Sequence, residues 1–178
     1  MSNIRPYRKW KPQFDQSVYI DQSAQLIGNI VIDKDSSIWP MVAARGDVNY
    51  IRIGQRTNIQ DCSVLHVARH TESAPEGFAL IIGDDVTVGH GVIIHACTIG
   101  NNCLIGMGAT ILDGAVLEDS TLIAAGSLVP PGKHLAGGHL WRGSPVKKIR
   151  PLSSKDYQLI EDSATQYILL KNEYLATP

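Results

Sequence analysis

Aliphatic residues recur at every sixth position over most of this chain. The longest uninterrupted series has eight members: Ile99, Ile105, Ile111, Leu117, Ile123, Val129, Leu135 and Trp141. A period of six does not fit the 3.6-residue repeat of a helix, and the short strands of a β-sandwich, the alternative fold, do not require so constant a register. We therefore predict an all-β solenoid, a left-handed parallel β-helix of hexapeptide repeats. Each turn has three flat sides with the aliphatic residues inside, and small residues such as Gly83 and Gly100 turn the corners.

The six-residue frame is interrupted three times. Between Leu65 and Ile82 there are eleven residues too many, which predicts a loop insertion at about 67–80. Its sequence, Thr-Glu-Ser-Ala-Pro-Glu-Gly, is typical of an exposed segment, and loops that leave a rigid scaffold often carry function. The smaller breaks are three extra residues between Ala44 and Ile53 and one residue too few between Ile94 and Ile99.

The repeat stops after Trp141, and the rest of the chain predicts one helix. Ser153 or Ser154 can be its N-cap, and apolar residues then follow at roughly helical spacing to about residue 175. The chain is thus divided into a β-helix domain at 1–152 and a C-terminal segment at 153–178. We expect the amphipathic helix of this segment to pack along one side of the solenoid.

Composition and charge narrow the classes of function. The formal net charge of −1 argues against a nucleic-acid partner held through backbone phosphates. Positive charges near the N-terminus are not followed by an apolar stretch, so we expect no signal peptide, no transmembrane span and no membrane partner. Three cysteines, Cys62, Cys97 and Cys103, have no CxxC spacing and indicate free thiols in a reducing compartment. A cytoplasmic location follows.

Two histidines share one column of the predicted solenoid. His66 and His95 are 29 positions apart, and removing the eleven-residue excess leaves eighteen, one full turn. Each directly follows an inward aliphatic residue, so the two imidazoles should stack on one outer edge with their backbones about 5 Å apart, close enough to share a metal ion. Arg45 falls one turn below His66 once the three-residue excess is removed.

A third histidine belongs to a different column. His90 lies nearly one side away from His95 and, by the same counting, one turn above Asp61. It should not reach the metal within one chain, but a neighbouring chain around a threefold axis could bring it there. We therefore predict a homotrimer whose metal ions are shared between subunits. In it, Arg45 would face Asp61 of the next subunit, with Asp47 as a second acceptor.

These residues resemble the motifs of the γ-class carbonic anhydrases, in particular of their bacterial, short-looped relatives. The resemblance covers nearly the whole chain, and hexapeptide repeats alone, which also occur in acyltransferases, would not produce it. It implies a zinc ion held by two histidines of one subunit and one of the next. The motifs are Arg45-Gly46-Asp47, Asn58-Ile59-Gln60-Asp61, His66, Gly89-His90 and His95.

The resemblance also implies roles for the residues around the metal. Gln60 would hydrogen-bond the metal-bound water, Arg45 would lie near the anionic product, and Asp47 and Asp61 would tie subunits together. Three neutral imidazoles leave the zinc an open position and lower the pKa of bound water to about 7, so hydroxide can add to carbon dioxide and give bicarbonate. Iron(II) or cobalt(II) fits the same geometry.

Two positions depart from the best-studied members, which carry acidic proton shuttles there. Val48 follows the Arg-Gly-Asp motif, and Arg69 stands in the loop after the first histidine. Without these shuttles we expect slow hydration of carbon dioxide. Candidates to replace the shuttle are Glu72, Glu76 and His70 in the loop, and candidates for the residues that the last helix supplies in some members are Tyr167 and Gln166.

Three other functions remain open on the same scaffold. A zinc hydrolase, for example a thioesterase, would use the same site on another electrophile. A non-catalytic metal-binding trimer would keep its partner binding after loss of the metal ligands. An acyltransferase would use a histidine as general base and an acyl-coenzyme A donor, and a chelator would leave its activity unchanged.

Overall fold

Short parallel strands wind into a three-sided solenoid in the computed structural model, which describes residues 3–177. Each strand pairs with the strands one turn before and after it, so that Ile94 lies between Leu65 and Ile111. The prediction of a left-handed parallel β-helix of hexapeptide repeats with a C-terminal helix is confirmed. The outermost limits predicted for the two segments, residues 1 and 178, lie outside the described residues.

The strands fall on three sides, with β4 and β6 each bending from side 1 to side 2. Side 1 contains β1 (Ile4–Arg5), the first parts of β4 (Gln25–Ile32) and β6 (Ala43–Ile53), β8 (Val64–His66), β11 (Ile93–His95), β14 (Thr110–Ile111) and β17 (Leu128–Val129). Side 2 contains β2 (Gln13–Phe14), the second parts of β4 and β6, β9 (Leu80–Ile82), β12 (Thr98–Ile99), β15 (Val116–Leu117) and β18 (His134–Leu135). Side 3 contains β3 (Tyr19–Ile20), β5 (Ser37–Ile38), β7 (Asn58–Ile59), β10 (Thr87–Val88), β13 (Leu104–Ile105), β16 (Leu122–Ile123), β19 (His139–Gly143) and the antiparallel β20 (Val146–Pro151).

The core is the inward row of aliphatic residues that the six-residue frame predicts. Ile59, Leu65, Val88 and Ile94 are all fully buried, and their counterparts in later turns, as far as Trp141, are buried as well. Ile20, at the start of the frame, is only partly buried. Because each turn buries its apolar row against its neighbours, the solenoid is stabilised by contacts between adjacent turns.

The chain turns its corners at a position different from the expected one. Left-handed backbone, with φ between 61° and 66°, stacks between sides 3 and 1, three residues after the inward aliphatic residue, at Met41, Cys62, Gly91, Gly108 and Gly126. Gly83 and Gly100 do stand in the corners between sides 2 and 3, but the left-handed residues of those corners are Asp85 and Asn102. These glycines are small because the next turn passes close: a Cβ on Gly83 would lie 2.8 Å from the Gly100 carbonyl carbon.

The breaks in the frame become local features on one edge of the solenoid. The three extra residues form a bulge, because Gly28 pairs with Gly46 while Ile30 pairs with Ile51. The long break is a loop that leaves after β8, folds into a small hairpin in which Ala68 bridges Phe78, and returns at β9. The bulge and the loop both lie next to the edge between sides 1 and 2, where β8 ends with His66.

The C-terminal helix, α1 (Ser154–Ala176), lies against side 3, where it contacts β3, β5 and β10. Ser153 is the N-cap and forms a capping box with Asp156. Ile160 and Ala164 are buried against the solenoid. No helix within residues 3–177 has both the length and the apolar character needed to cross a membrane.

Candidate metal centre

His66 and His95 stack at the ends of β8 and β11, as the column counting predicts. They are register partners, and Nδ1 of His66 is 3.0 Å from Nε2 of His95. Arg45 is the register partner of His66 in the turn below, so the predicted column of three is confirmed. Because they lie at the ends of their strands, these side chains are held at one edge of the prism, where the chain leaves side 1 and turns towards side 2.

Carboxylates contact the far nitrogens of both imidazoles. Nδ1 of His95 lies 2.5 Å from Oδ1 of Asp113, one turn later. Nε2 of His66 lies 3.1 Å from Oδ1 of Asp47, which the bulge carries towards the edge. In this arrangement an N–H of each ring donates to a carboxylate, and the remaining nitrogens face each other.

His90 lies on the corner between sides 3 and 1, away from this pair. Its Nδ1 is 2.9 Å from Oδ2 of Asp61, so the second predicted column is also confirmed. The His90 side chain is 48% exposed, and its Nε2 makes no hydrogen bond to any of residues 3–177. The ring is therefore held by one nitrogen and presents the other to the outside of the chain.

Arg45 contacts Asp47 within the same chain. Its Nη1 donates to Oδ2 of Asp47, while Asp47 also contacts His66. Burial alone would raise the pKa of Asp47, but the hydrogen bonds from Arg45 and His66 outweigh it and lower that pKa. Half of the Arg45 side chain remains exposed at the edge.

The donor set and its geometry fit zinc. Two nitrogens on a tetrahedral zinc, each about 2.0–2.1 Å from the ion, are separated by about 3.4 Å, and the two facing nitrogens at 3.0 Å need only a small movement to reach it. Burial, the largest effect, and Arg45 lower the pKa of His66, which favours the neutral imidazole that a metal requires. Within residues 3–177 no three His, Cys, Asp or Glu side chains of one chain are grouped so that they could hold a metal.

Comparisons with known proteins identify the family. The profile of the bacterial transferase hexapeptide (six repeats) matches residues 96–131. Protein YrdA of Escherichia coli is 53% identical over 172 residues, which are 97% of this chain and 94% of YrdA. Gamma carbonic anhydrase 2 of Arabidopsis thaliana, a mitochondrial protein, is 44% identical over 159 residues, which are 89% of this chain and 57% of the plant protein. This chain belongs to the γ-carbonic anhydrase-like family.

The fold comparison agrees with this family. A crystal structure of a hexapeptide transferase family protein from Anaplasma phagocytophilum superposes with a TM-score of 0.89 at 39% identity. The match covers 96% of this chain and 97% of that one. The names of such relatives thus include transferases as well as carbonic anhydrases, and the family alone does not choose between the two reactions.

In this γ-carbonic anhydrase-like chain, Gln60 and Tyr167 lie on the His90 side of the prism. Gln60 is buried, and its amide donates to Oδ1 of Asn58 at 3.1 Å. Tyr167 packs edge-on against Trp39, with ring centroids 5.3 Å apart. Burial and then the charge of Asp61 raise the pKa of Tyr167, so its phenol stays protonated near neutral pH.

Two other candidates, Gln166 and His70, are not brought to the stacked histidines of their own chain. Gln166 is exposed on the outer surface of α1. His70 is exposed in the loop, where its Nδ1 lies 2.5 Å from the carbonyl oxygen of Pro75. That contact ties His70 to the loop itself.

Asp113 is a further candidate site residue, which the sequence reasoning missed. It lies eighteen positions after His95, and its carboxylate contacts the His95 ring. The one-residue deficit between Ile94 and Ile99 shortens this turn, because Ile94 pairs with Ile111, seventeen residues later. Counting in register therefore places Leu112 above His95, and the signal that remained was an acidic residue one position beyond it in the next turn, where side chains of the same edge are neighbours.

Proposed function

We propose that this protein is a zinc-dependent carbonic anhydrase that hydrates carbon dioxide to bicarbonate, with each zinc ion bound between two subunits of a homotrimer. The observation that carries the proposal is the pair of nitrogens, His66 Nδ1 and His95 Nε2, that face each other at 3.0 Å while carboxylates occupy their opposite nitrogens. Such carboxylate-histidine pairs are typical of zinc ligands, because the carboxylate fixes the tautomer and raises the basicity of the ring.

His90 of a neighbouring subunit is the third ligand in this proposal. Within its own chain this side chain is exposed on a different edge from the stacked pair, with Nε2 directed outwards. A threefold arrangement of identical prisms brings one such edge against the other and closes on itself. Each subunit then contributes two ligands to one metal and one ligand to the next.

The bound zinc would supply a nucleophile from water at neutral pH, because three neutral imidazoles lower the pKa of coordinated water to about 7. The residues of the chain itself would orient the ligands and add positive charge. Asp113 orients His95, Asp47 orients His66, and Arg45 provides a positive charge next to the anion that the reaction produces. Gln60, on the His90 side, is the candidate for a polar contact to the bound water or substrate.

Stopped-flow hydration of carbon dioxide on metal-quantified protein tests the proposal. We expect activity well above the buffer rate that is lost on incubation with a chelator and regained with zinc. The double variant His66→Ala/His95→Ala should be inactive and metal-free while remaining folded. Full zinc occupancy without hydration would exclude the carbonic anhydrase and favour a zinc hydrolase or a non-catalytic trimer.

An acyltransferase is the second candidate, favoured by the hexapeptide transferase profile over residues 96–131 and by the names of structural relatives. It makes an opposite prediction. Transfer of an acyl group from an acyl-coenzyme A donor would persist in the presence of chelator, since a histidine base requires no metal. The same chelator-treated sample therefore separates the two reactions.

A further inference from the structure

A cavity of about 460 Å³ opens beside the stacked histidines, between the bulge of β6 and the loop after β8. Besides the two imidazoles it contains the side chains of Arg45, Asp47 and Asp113 and three residues of the loop segment that follow Val67. Among those three is Arg69, and no acidic residue of the loop lines the cavity. The cavity is therefore directly beside the two candidate metal ligands.

The charged groups of the cavity are paired, with one exception. Arg45 donates to Asp47, and Asp113 contacts His95. Arg69 makes no hydrogen bond, ion pair or ring contact with any of the described residues. It therefore adds an unpaired positive charge, with five N–H donors, to the cavity that contains the candidate metal ligands.

The loop places Arg69 rather than leaving it on a free segment. Ala68, the preceding residue, exchanges two backbone hydrogen bonds with Phe78, at 2.9 and 3.2 Å. Asn49 in the bulge donates from Nδ2 to the carbonyl oxygens of Ala68 and Glu76, at 3.2 and 3.1 Å. The bulge and the loop are thus joined directly beside Arg69.

The cavity also has no unengaged carboxylate on this wall. Val48 stands in the bulge and packs partly against the core. The acidic residues of the loop, Glu72 and Glu76, are exposed and lie outside the cavity wall. Two arginines and two aspartates line the cavity, and because both aspartates are engaged by neighbouring groups, the unpaired donors of Arg69 are what it offers to an anion.

We propose that Arg69 is the docking residue of an oxyanion subsite next to the metal centre, with a small planar carboxylate of the bicarbonate type or inorganic phosphate as its ligand. The identity of the ligand as the reaction product rests on the proposed function, whereas the subsite is argued from the residues of the cavity alone. The planar guanidinium matches two oxygens of a carboxylate or phosphate at once, and such charge-assisted pairs are stronger than neutral hydrogen bonds. Arg45 adds positive charge nearby but is already paired with Asp47, whereas the donors of Arg69 have no partner among the described residues.

Protection of Arg69 from an arginine reagent tests the subsite without relying on activity. The full-length protein, zinc-loaded and metal-free, is treated with phenylglyoxal at constant ionic strength in chloride, bicarbonate or phosphate, and modified peptides are quantified by mass spectrometry. Arg142 is the internal control, because it is exposed and its side chain also makes no hydrogen bond, ion pair or ring contact with any of residues 3–177. We expect bicarbonate or phosphate to slow modification of Arg69 several-fold relative to Arg142.

The variants Arg69→Gln and Arg69→Lys give a second measurement, with Arg142→Gln as the matched control. Loss of one charge-assisted pair should weaken inhibition by bicarbonate about tenfold in Arg69→Gln. Arg69→Lys should recover part of the affinity, since the charge remains but the planar fork is lost. Arg142→Gln should behave as the unmodified protein does.

The outcomes separate the subsite from the reaction. Protection by bicarbonate alone identifies the product as the ligand, whereas equal protection by phosphate identifies oxyanions of the medium. Protection of Arg69 without any hydration of carbon dioxide would leave the subsite standing and remove the proposed function. Equal modification of Arg69 and Arg142 in every medium would overturn the subsite, even in an active enzyme.

Discussion

Asp113 lies in the turn that follows His95, and its Oδ1 atom is 2.5 Å from Nδ1 of that histidine. The contact leaves Nε2 of His95 to face His66. Asp113→Asn keeps the shape of the side chain but removes its charge, so it should lower zinc affinity by about 10–100-fold. Competition with a zinc-binding dye measures this directly.

A matched control is available on side 2. His134 and Glu118 form a similar pair at 2.6 Å on an exposed surface away from the metal centre. Glu118→Gln should leave zinc affinity unchanged. Equal zinc affinity of Asp113→Asn and the unmodified protein would show that Asp113 does not position a ligand.

His90→Ala should lose zinc without unfolding. The side chain is half exposed, and its one described contact is to Asp61, so the core is untouched. Zinc per chain, measured by elemental analysis after dialysis, should fall to near zero while the circular dichroism spectrum and melting temperature of the metal-free protein stay the same. His134→Ala is the control. Collapse of the fold in His90→Ala would contradict the outward placement of this ring.

Much of this site could be predicted from the sequence because the six-residue frame converts sequence distance into position. The pairings of Arg45 with His66 and of His66 with His95 follow from counting turns. Counting could not show that the three extra residues become a bulge. Gly46 passes so close to the previous turn that a Cβ would lie 2.6 Å from the Asn29 carbonyl oxygen, and the chain then leaves the frame until Ile51.

For the same reason, the six-residue frame could not predict that Asp47 lies beside His66. Residues of a bulge have no register partner, so their direction depends on local backbone geometry rather than on the repeat. The reason for the small residues Gly83 and Gly100 was also mispredicted, because a glycine can be required for close approach of the next turn as readily as for a left-handed backbone. Both errors concern backbone detail within one turn, where a periodic pattern carries little information.

Arg45→Ala should weaken the proposed trimer. In one chain Arg45 pairs with Asp47 and remains half exposed, available to Asp61 of a neighbouring subunit. Loss of an interfacial charged group of this kind should raise the dissociation constant at least about tenfold. Sedimentation velocity across a dilution series into the micromolar range detects the change. Arg45→Lys should be intermediate, and an Arg45→Ala trimer as stable as the unmodified one would reject the ion pair.

The three thiols should differ sharply in reactivity. Cys97 and Cys103 are buried in the solenoid, and burial raises the pKa of Cys97 and raises that of Cys103 to about 12. At pH 8 both remain protonated and covered, whereas Cys62 is exposed on a corner. A thiol reagent should therefore modify no more than one cysteine per native chain, Cys62, and all three after denaturation. Labelling of Cys97 in native protein would contradict the core register.

Lys171 should anchor the C-terminal helix to the solenoid. Its side chain is only 1% exposed, its Nζ is 3.2 Å from Oδ1 of Asp35, and it donates to Oδ1 of Asn172 at 2.6 Å. Lys171→Ala removes both contacts and leaves a cavity, while the remaining Asp35 carboxylate is 40% exposed and can be hydrated. We expect a loss of about 1–3 kcal/mol in the free energy of unfolding.

Denaturant unfolding of three variants tests this anchoring. Lys171→Met fills the same space and should cost less than Lys171→Ala, since a buried ion pair can be replaced by an apolar side chain of similar size at little cost. Lys155→Ala, on the exposed first turn of α1, should change stability by less than about 0.5 kcal/mol. Zinc content should be the same in all three, because Lys171 lies on the helix and not at the metal edge. A Lys171→Ala protein as stable as Lys155→Ala would mean that the lysine does not hold the helix in place.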